Sequence, residues 1–359
     1  MASALNDILS KGLSSPICLT WELTYGCNLS CSHCLSDSGP KAPGELDTNQ
    51  AKSLIDQFQE MSIFYINIGG GEPMMRRDFF EIIEYAQNSN IGVKFSTNGY
   101  YLTPAAAKRL ATMNYVDVQI SLDGHTSEVN DAIRGRGSFD KALEALSNLS
   151  DAGFLNPKIS VVATAYNVDH LDEILALANS FGAGLRLTRL RPSGRGTQSY
   201  KELNPSTTQQ QKLYGWLMNH REVLTGDSFF HLSPLGDPLE GLNMCGAGKV
   251  VCLIDPIGDV YACPFTIHPD FKAGSIKENS FQAIWSDAPL FSSLRSSNGP
   301  SSCQSCSAYS QCNGGCMATK FHTGGQIDDP DPDCVMGNGQ APTSNRISIR
   351  PRQKITINS

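Results

Sequence analysis

Between residues 17 and 200 the chain repeats one pattern. Apolar runs of six to eight residues fall near 17–23, 63–69, 91–96, 115–121, 158–165 and 184–190. Between them lie longer stretches near 48–61, 78–89, 103–113, 138–152 and 168–181, in which apolar residues recur every third or fourth position. The short runs predict strands and the longer ones amphipathic helices. Thr48, and Thr103 ahead of Pro104, mark helix starts: a hydroxyl can accept from an orphan N–H, and proline lacks a donor where none is needed. Strand and helix in alternation imply parallel βαβ units. Six such units suit a partial (β/α)6 barrel, and pattern alone suits a doubly wound sheet equally. A further helix is expected near 205–222. The sixth strand interleaves arginine with leucine, so Arg189 and Arg191 are expected at the strand mouth or in solvent.

Composition narrows the class. A chain of 359 residues with 40% hydrophobic content can bury a large core in more than one domain. The net charge of −7 argues against a general nucleic-acid binder. No early run of 18 apolar residues occurs, so neither a signal peptide nor a membrane span is expected, and the expected place is cytoplasmic. Twelve cysteines are unevenly placed: four before residue 35, none from 35 to 244, eight from 245 to 334. In a large chain without an export signal they read as metal ligands rather than disulfides. Their distribution divides the chain into an α/β part and a cysteine-rich part.

The first group is Cys27, Cys31 and Cys34, at C-x3-C-x2-C spacing just after the first strand. Three thiolates are one short of a closed four-ligand site, which leaves a position open for chemistry. A zinc knuckle closed by His33 or Asp37 is the competing reading. The second strand runs into Gly69-Gly70-Gly71-Glu72, where bare backbone can approach a ligand closely. Ser96 and Asn98 end the third strand, and Ser121 and Asp123 the fourth. Downstream stand Cys245, Cys252 and Cys263, then Cys303, Cys306, Cys312, Cys316 and Cys334. Eight cysteines make two four-thiolate sites, either zinc or iron–sulfur by spacing alone. Cys18, inside the first strand, reads as a small buried apolar residue.

Together the three-cysteine loop, the Gly-Gly-Glu turn and the segment Gly258-Asp-Val-Tyr-Ala-Cys-Pro264 resemble the radical S-adenosylmethionine (SAM) peptide maturases that carry a SPASM extension. The resemblance implies an α/β fold, a partial (β/α)6 barrel followed by a cysteine-rich iron–sulfur domain. The expected divisions are an N-terminal extension (1–16), the barrel (17–200), a bridge (201–243), the SPASM domain (244–335) and a mobile tail (336–359). It implies a [4Fe–4S] cluster on Cys27, Cys31 and Cys34 whose open iron binds SAM. Gly70, Gly71 and Glu72 would meet the SAM ammonium, and Arg134 its carboxylate. His33 would stack on the adenine, and Ser96, Asn98, Ser121 and Leu190 would lie beside the cofactor. Asp123 stands as a possible acid–base group. Two auxiliary [4Fe–4S] clusters would be held by Cys245, Cys252, Cys263 and Cys316, and by Cys303, Cys306, Cys312 and Cys334.

Segments 16–25, 64–73, 93–99, 189–196, 225–235 and 242–248 extend the resemblance to the mycofactocin branch of that family. That branch implies a ribosomal precursor peptide ending in Val-Tyr, a small peptide-chaperone protein and an external electron donor. The implied chemistry is oxidative decarboxylation of the tyrosine, then a Val–Tyr carbon–carbon crosslink. Sulfatase-type and thioether-forming SPASM enzymes are the nearest rivals. Pro264 stands after Cys263, where sulfatase maturases typically carry an aspartate. A zinc scaffold or simple electron carrier would need no SAM site.

Overall fold

The computed structural model describes residues 12–337 apart from 227, 228, 238, 240, 242, 243 and 298. Most of the expected N-terminal extension and of the expected tail lies outside the described residues. Strands β1 (Cys18–Thr24), β2 (Tyr65–Gly70), β3 (Gly92–Thr97), β4 (Val116–Ser121), β5 (Lys158–Ala163) and β6 (Gly184–Arg189) pair in parallel, each beside the next in sequence. A doubly wound sheet would reverse its order at a switch point. This one does not, as a singly wound partial barrel requires.

The return helices are α1 (Thr48–Glu60), α2 (Phe79–Asn88), α3 (Pro104–Ala111), α5 (Ser138–Asp151) and α6 (Leu171–Ser180). Thr103 caps α3 as expected, accepting from the Ala106 N–H. At α1 the cap is Asp47, one residue earlier than expected, in a reciprocal pair with Gln50. Two helices escaped the pattern, α4 (Ser127–Arg134) and α7 (Gly196–Leu203), because both are short and polar. Helix α8 (Thr207–Asn219) fills the expected bridge. Among the described residues no helix is long and apolar enough to cross a membrane.

Successive strand residues face opposite sides. Ile66, Ile68, Val93, Phe95, Val118, Ile120, Val161 and Leu187 point to the helices and pack with Leu54, Phe58, Ile83, Leu110, Leu146 and Ile174. The other face carries Glu22, Asn67, Lys94, Ser96, Gln119, Ser121, Ser160 and Arg186. The core therefore lies outside the strands, and the concave lumen is polar. Cys18 is exposed, not buried as expected. It opens β1, and its neighbour Leu19 takes the core position.

The cysteine-rich part is not a separate body. β7 (Val251–Ile254) pairs in parallel with β1, and β8 (Asp259–Tyr261) and β9 (Lys272–Ser275) continue antiparallel, giving one nine-stranded sheet. Helix α9 (Phe281–Asp287) sets Phe281 edge-on to Phe58, which in turn meets Trp21. The cysteines of 303–334 ride on short turns. Arg189, expected at the mouth or in solvent, is buried. It is bidentate to Asp331 at 2.7 and 2.8 Å and reaches Asp333 at 2.7 Å. Arg191 lies over the Phe265 ring at 4.2 Å. Both arginines tie the barrel to the cysteine-rich part.

Candidate active site

The loop bearing Cys27, Cys31 and Cys34 leaves β1 at the C-terminal mouth of the sheet. Its base is clipped shut: Cys27 N donates to Gly39 O at 2.7 Å and Gly39 N to Tyr25 O at 2.9 Å. Leu29 N donates to the Cys27 sulfur and Ser38 N to the Cys34 sulfur, both at 3.4 Å. Burial pushes the Cys27 thiol up to about 11, so it would ionise only when a cation takes the proton's place.

The glycine turn after β2 is fastened to the same loop. Gly71 N donates to Thr24 O and Glu72 N to Gly26 O, at 2.7 and 2.8 Å. A Cβ at Gly71 would stand 2.1 Å from Gly26 O, and Gly70 has a φ of +105°, so only glycine lets the two segments meet. Glu72 is fully buried and accepts from Thr97 Oγ1, Asn98 N and Met74 N. Desolvation outweighs those donors and raises its carboxyl to about 7. Asn98 is spent on Asn28 and on Tyr100 N, so it orders the cysteine loop. Ser96 and Ser121 face the lumen beneath it. Leu190 packs against Ile133 and Leu203, so any contact with a cofactor is through its main chain.

Asp123 stands two residues past the end of β4 and has no exposed surface. One oxygen accepts from Val162 N at 2.7 Å. The other meets His33 Nε2 at 2.6 Å and is ion-paired with Arg134 Nε at 2.7 Å. Burial pushes its carboxyl up, but Arg134 and His33 together hold it well below the usual carboxylate range. Both of its oxygens are engaged, so Asp123 is placed to position its partners. His33 comes from the cysteine loop and Arg134 from the end of α4, and Asp123 locks both at the mouth. His33 Nδ1 is buried without a partner, the kind of orphan a ligand in the mouth would satisfy.

The sequence reading missed the braces behind the loop. Ser32 N and Oγ donate to Ile133 O at the C-terminus of α4. Arg195 donates from Nε to Cys31 O and from Nη1 to Ser38 O and Asp37. Ser199 of α7 donates to Ser32 O. The only sequence hint was the glycine-bearing stretch 193–196.

In the second cysteine group, Cys303, Cys306, Cys312 and Cys334 line one cavity together with Tyr309 and Asp331. Cys245, Cys263 and Cys316 lie in one another's electrostatic field. Cys252, expected as their fourth partner, is elsewhere. Leu253 and Ile254 stand opposite Tyr261 and Val260. Continuing that register sets Cys252 opposite Ala262 and turns it to the face away from Cys263. Its charged neighbours are Arg295 and Cys18, and it lies in the core with Leu19. Among the described residues no three His, Cys, Asp or Glu side chains converge as one metal ion would require. Thiols spread around a cavity suit a cluster, in which each holds its own iron.

The radical SAM superfamily model matches residues 21–179, and that of the SPASM iron–sulfur cluster-binding domain matches 245–313. The mycofactocin maturase MftC of Mycobacterium tuberculosis is 58% identical over 97% of this chain and 90% of its own. That of Mycolicibacterium smegmatis shows the same identity and coverage. Among solved structures, Streptococcus suis SuiB bound to SAM aligns over 92% of this chain and 80% of its own, with a TM-score of 0.74 and 18% identity. Native anSMEcpe with bound AdoMet and a peptide aligns over 90% and 96%, with a TM-score of 0.69 and 19% identity. These two share the fold. The close relatives, the matching domains and the three-cysteine mouth together place the chain in the mycofactocin maturases, radical SAM and SPASM enzymes that modify a peptide using SAM and iron–sulfur clusters.

Proposed function

We propose that this enzyme oxidatively decarboxylates the C-terminal tyrosine of a Val-Tyr-ended precursor peptide and then joins the valine to it. The observation that carries this reading is the 58% identity to mycofactocin maturases across both cysteine-bearing domains. It is joined by a polar lumen beneath an open three-thiolate loop.

When bound, the cluster and SAM supply a 5′-deoxyadenosyl radical. The protein's own part is positioning. Asp123 holds His33 and Arg134 at the mouth, Glu72 ties the glycine turn to β3, and the lumen receives the peptide end. In the first reaction the tyrosine loses a hydrogen atom from Cβ, then CO2 and one electron, leaving a Cα=Cβ double bond. In the second, the valine loses a hydrogen atom from its Cβ and bonds to the former tyrosine Cα. The tyrosine Cβ then gains one electron from the external donor and one proton from solvent, so the second reaction leaves the mass unchanged.

The electron released in the first reaction needs an acceptor. Cys303, Cys306, Cys312 and Cys334 would hold one auxiliary cluster, and Cys245, Cys263 and Cys316 another, making three clusters in all. Two readings come with this one: a small chaperone protein presents the peptide, and an external donor reduces the SAM site. The setting is cytoplasmic. The test is a precursor deuterated at the tyrosine Cβ. Deuterium should pass into 5′-deoxyadenosine in the first turnover. Unlabelled deoxyadenosine alongside a decarboxylated peptide would place the attack elsewhere.

A further inference from the structure

The two cysteine sites beyond the barrel adjoin each other. Cys316 packs with Phe230 and Ala318, and both Cys245 and Cys312 pack against that group. Cys312 in turn shares its cavity with Cys303, Cys306 and Cys334. A short helix, α10 (Met317–His322), leaves the junction directly after Cys316.

Lys320 stands one turn into α10. Its N–H donates to Cys316 O at 3.1 Å, so the lysine and the cysteine lie on the same side of the turn. Lys320 is only 4% exposed, a depth at which lysine is almost always paired. Its ammonium donates to Ile327 O at 3.1 Å. Among the described residues the ion-paired lysines are Lys52, Lys141, Lys158, Lys212 and Lys272, and Lys320 is not one of them. One carbonyl does not balance a buried ammonium, since a charge taken out of water is costly until another charge answers it.

The groups that can answer it are sulfurs. Lys320 lies in the electrostatic field of Cys245 from one site and of Cys303 from the other. A sulfur that holds iron is a thiolate, and a thiolate-held cluster gains a further negative charge when it is reduced. A buried cation beside it favours the reduced form, because the interior screens little.

We propose that Lys320 is the shared counter-cation of the two auxiliary sites, raising the reduction potential of both clusters so that they take up the electron released by the substrate. This rests on the reading of those sites as iron–sulfur clusters given above. Lys320 touches neither the SAM mouth nor the lumen; it acts through the clusters as a fixed charge.

The test is a potentiometric titration of the anaerobically reconstituted full-length enzyme, followed by electron paramagnetic resonance, with iron and sulfide measured on the same samples. Lys320→Met should lower the midpoint potential of both auxiliary clusters and leave that of the SAM-binding cluster unchanged. At a fixed potential the ratio of reduced to oxidised auxiliary cluster should fall by about tenfold or more, as loss of one buried unit charge implies. Lys320→Arg should stay near wild type, because it restores the charge. Lys277→Met, an exposed lysine of the same part of the chain, should shift nothing. If Lys320→Met takes up iron incompletely, Lys320→Gln carries the test, since it offers Ile327 O a donor without the charge, and the same shift is expected. Unmoved potentials in an iron-replete Lys320→Met or Lys320→Gln would overturn the proposal. So would a shift confined to one cluster, or an equal shift in Lys320→Arg. Wild-type enzyme with zinc in these sites would instead overturn the cluster reading beneath it.

Discussion

Asp123 serves two basic groups that reach the mouth from different parts of the chain. Its partners are 90 and 11 residues away, so nothing local marks the role. An anion with no exposed surface, meeting a buried guanidinium, stabilises only while both remain. Asp123→Asn should destabilise the protein by about 3–5 kcal/mol in chemical denaturation. The depressed carboxyl means that its contribution is present above the unfolded value, near 3.8, and is lost only as pH falls below it. At the same scale, Cys252 separates spacing from geometry. Cys252→Ala should leave iron content unchanged, whereas Cys263→Ala should remove the iron of one cluster, as measured by iron and sulfide analysis. Equal loss in both would return Cys252 to the ligand set. The cysteine loop and the Gly-Gly-Glu turn were legible because their spacing is their chemistry. Cys252 was misread because spacing does not say which face of a strand a side chain takes.

The elements were legible where period was strong. All six barrel strands lie within about two residues of the positions expected, because each is a short apolar run, with burial alternating at period two in β3, β5 and β6. Helices α4 and α7 were not, since eight residues span barely two turns and offer few apolar positions to read. Both back the cysteine loop, so what the pattern hid was structural support. The barrel's tie to the cysteine-rich part was equally hidden. Arg189 lies 142 residues from Asp331. The site it braces sits where Asp331 also accepts from Cys316 N at 2.7 Å. Tyr200 and Asn204 complete the cage through Asp333. Arg189→Met leaves the buried Asp331 and the half-buried Asp333 without their cation, a loss on the order of 3–5 kcal/mol. The variant should lose auxiliary-cluster iron while still forming deoxyadenosine from SAM. Full iron retention would mean that the bridge is dispensable.

Over the whole molecule, one sheet runs from the cofactor mouth into the cysteine-rich part through the β1–β7 pairing. The expected domain division at 244 follows the cysteines, but the fold does not stop there. A continuous sheet suits the proposed passage of an electron from a substrate in the lumen to thiolate-held clusters beyond it. The central claim is that this one body turns a Val-Tyr end into a decarboxylated crosslink. The direct measurement is mass spectrometry of a synthetic precursor incubated anaerobically with reconstituted enzyme, SAM, reductant and the chaperone. The account predicts a peptide lighter by one formic-acid equivalent, with deoxyadenosine formed. Deoxyadenosine beside a peptide of unchanged mass would contradict it.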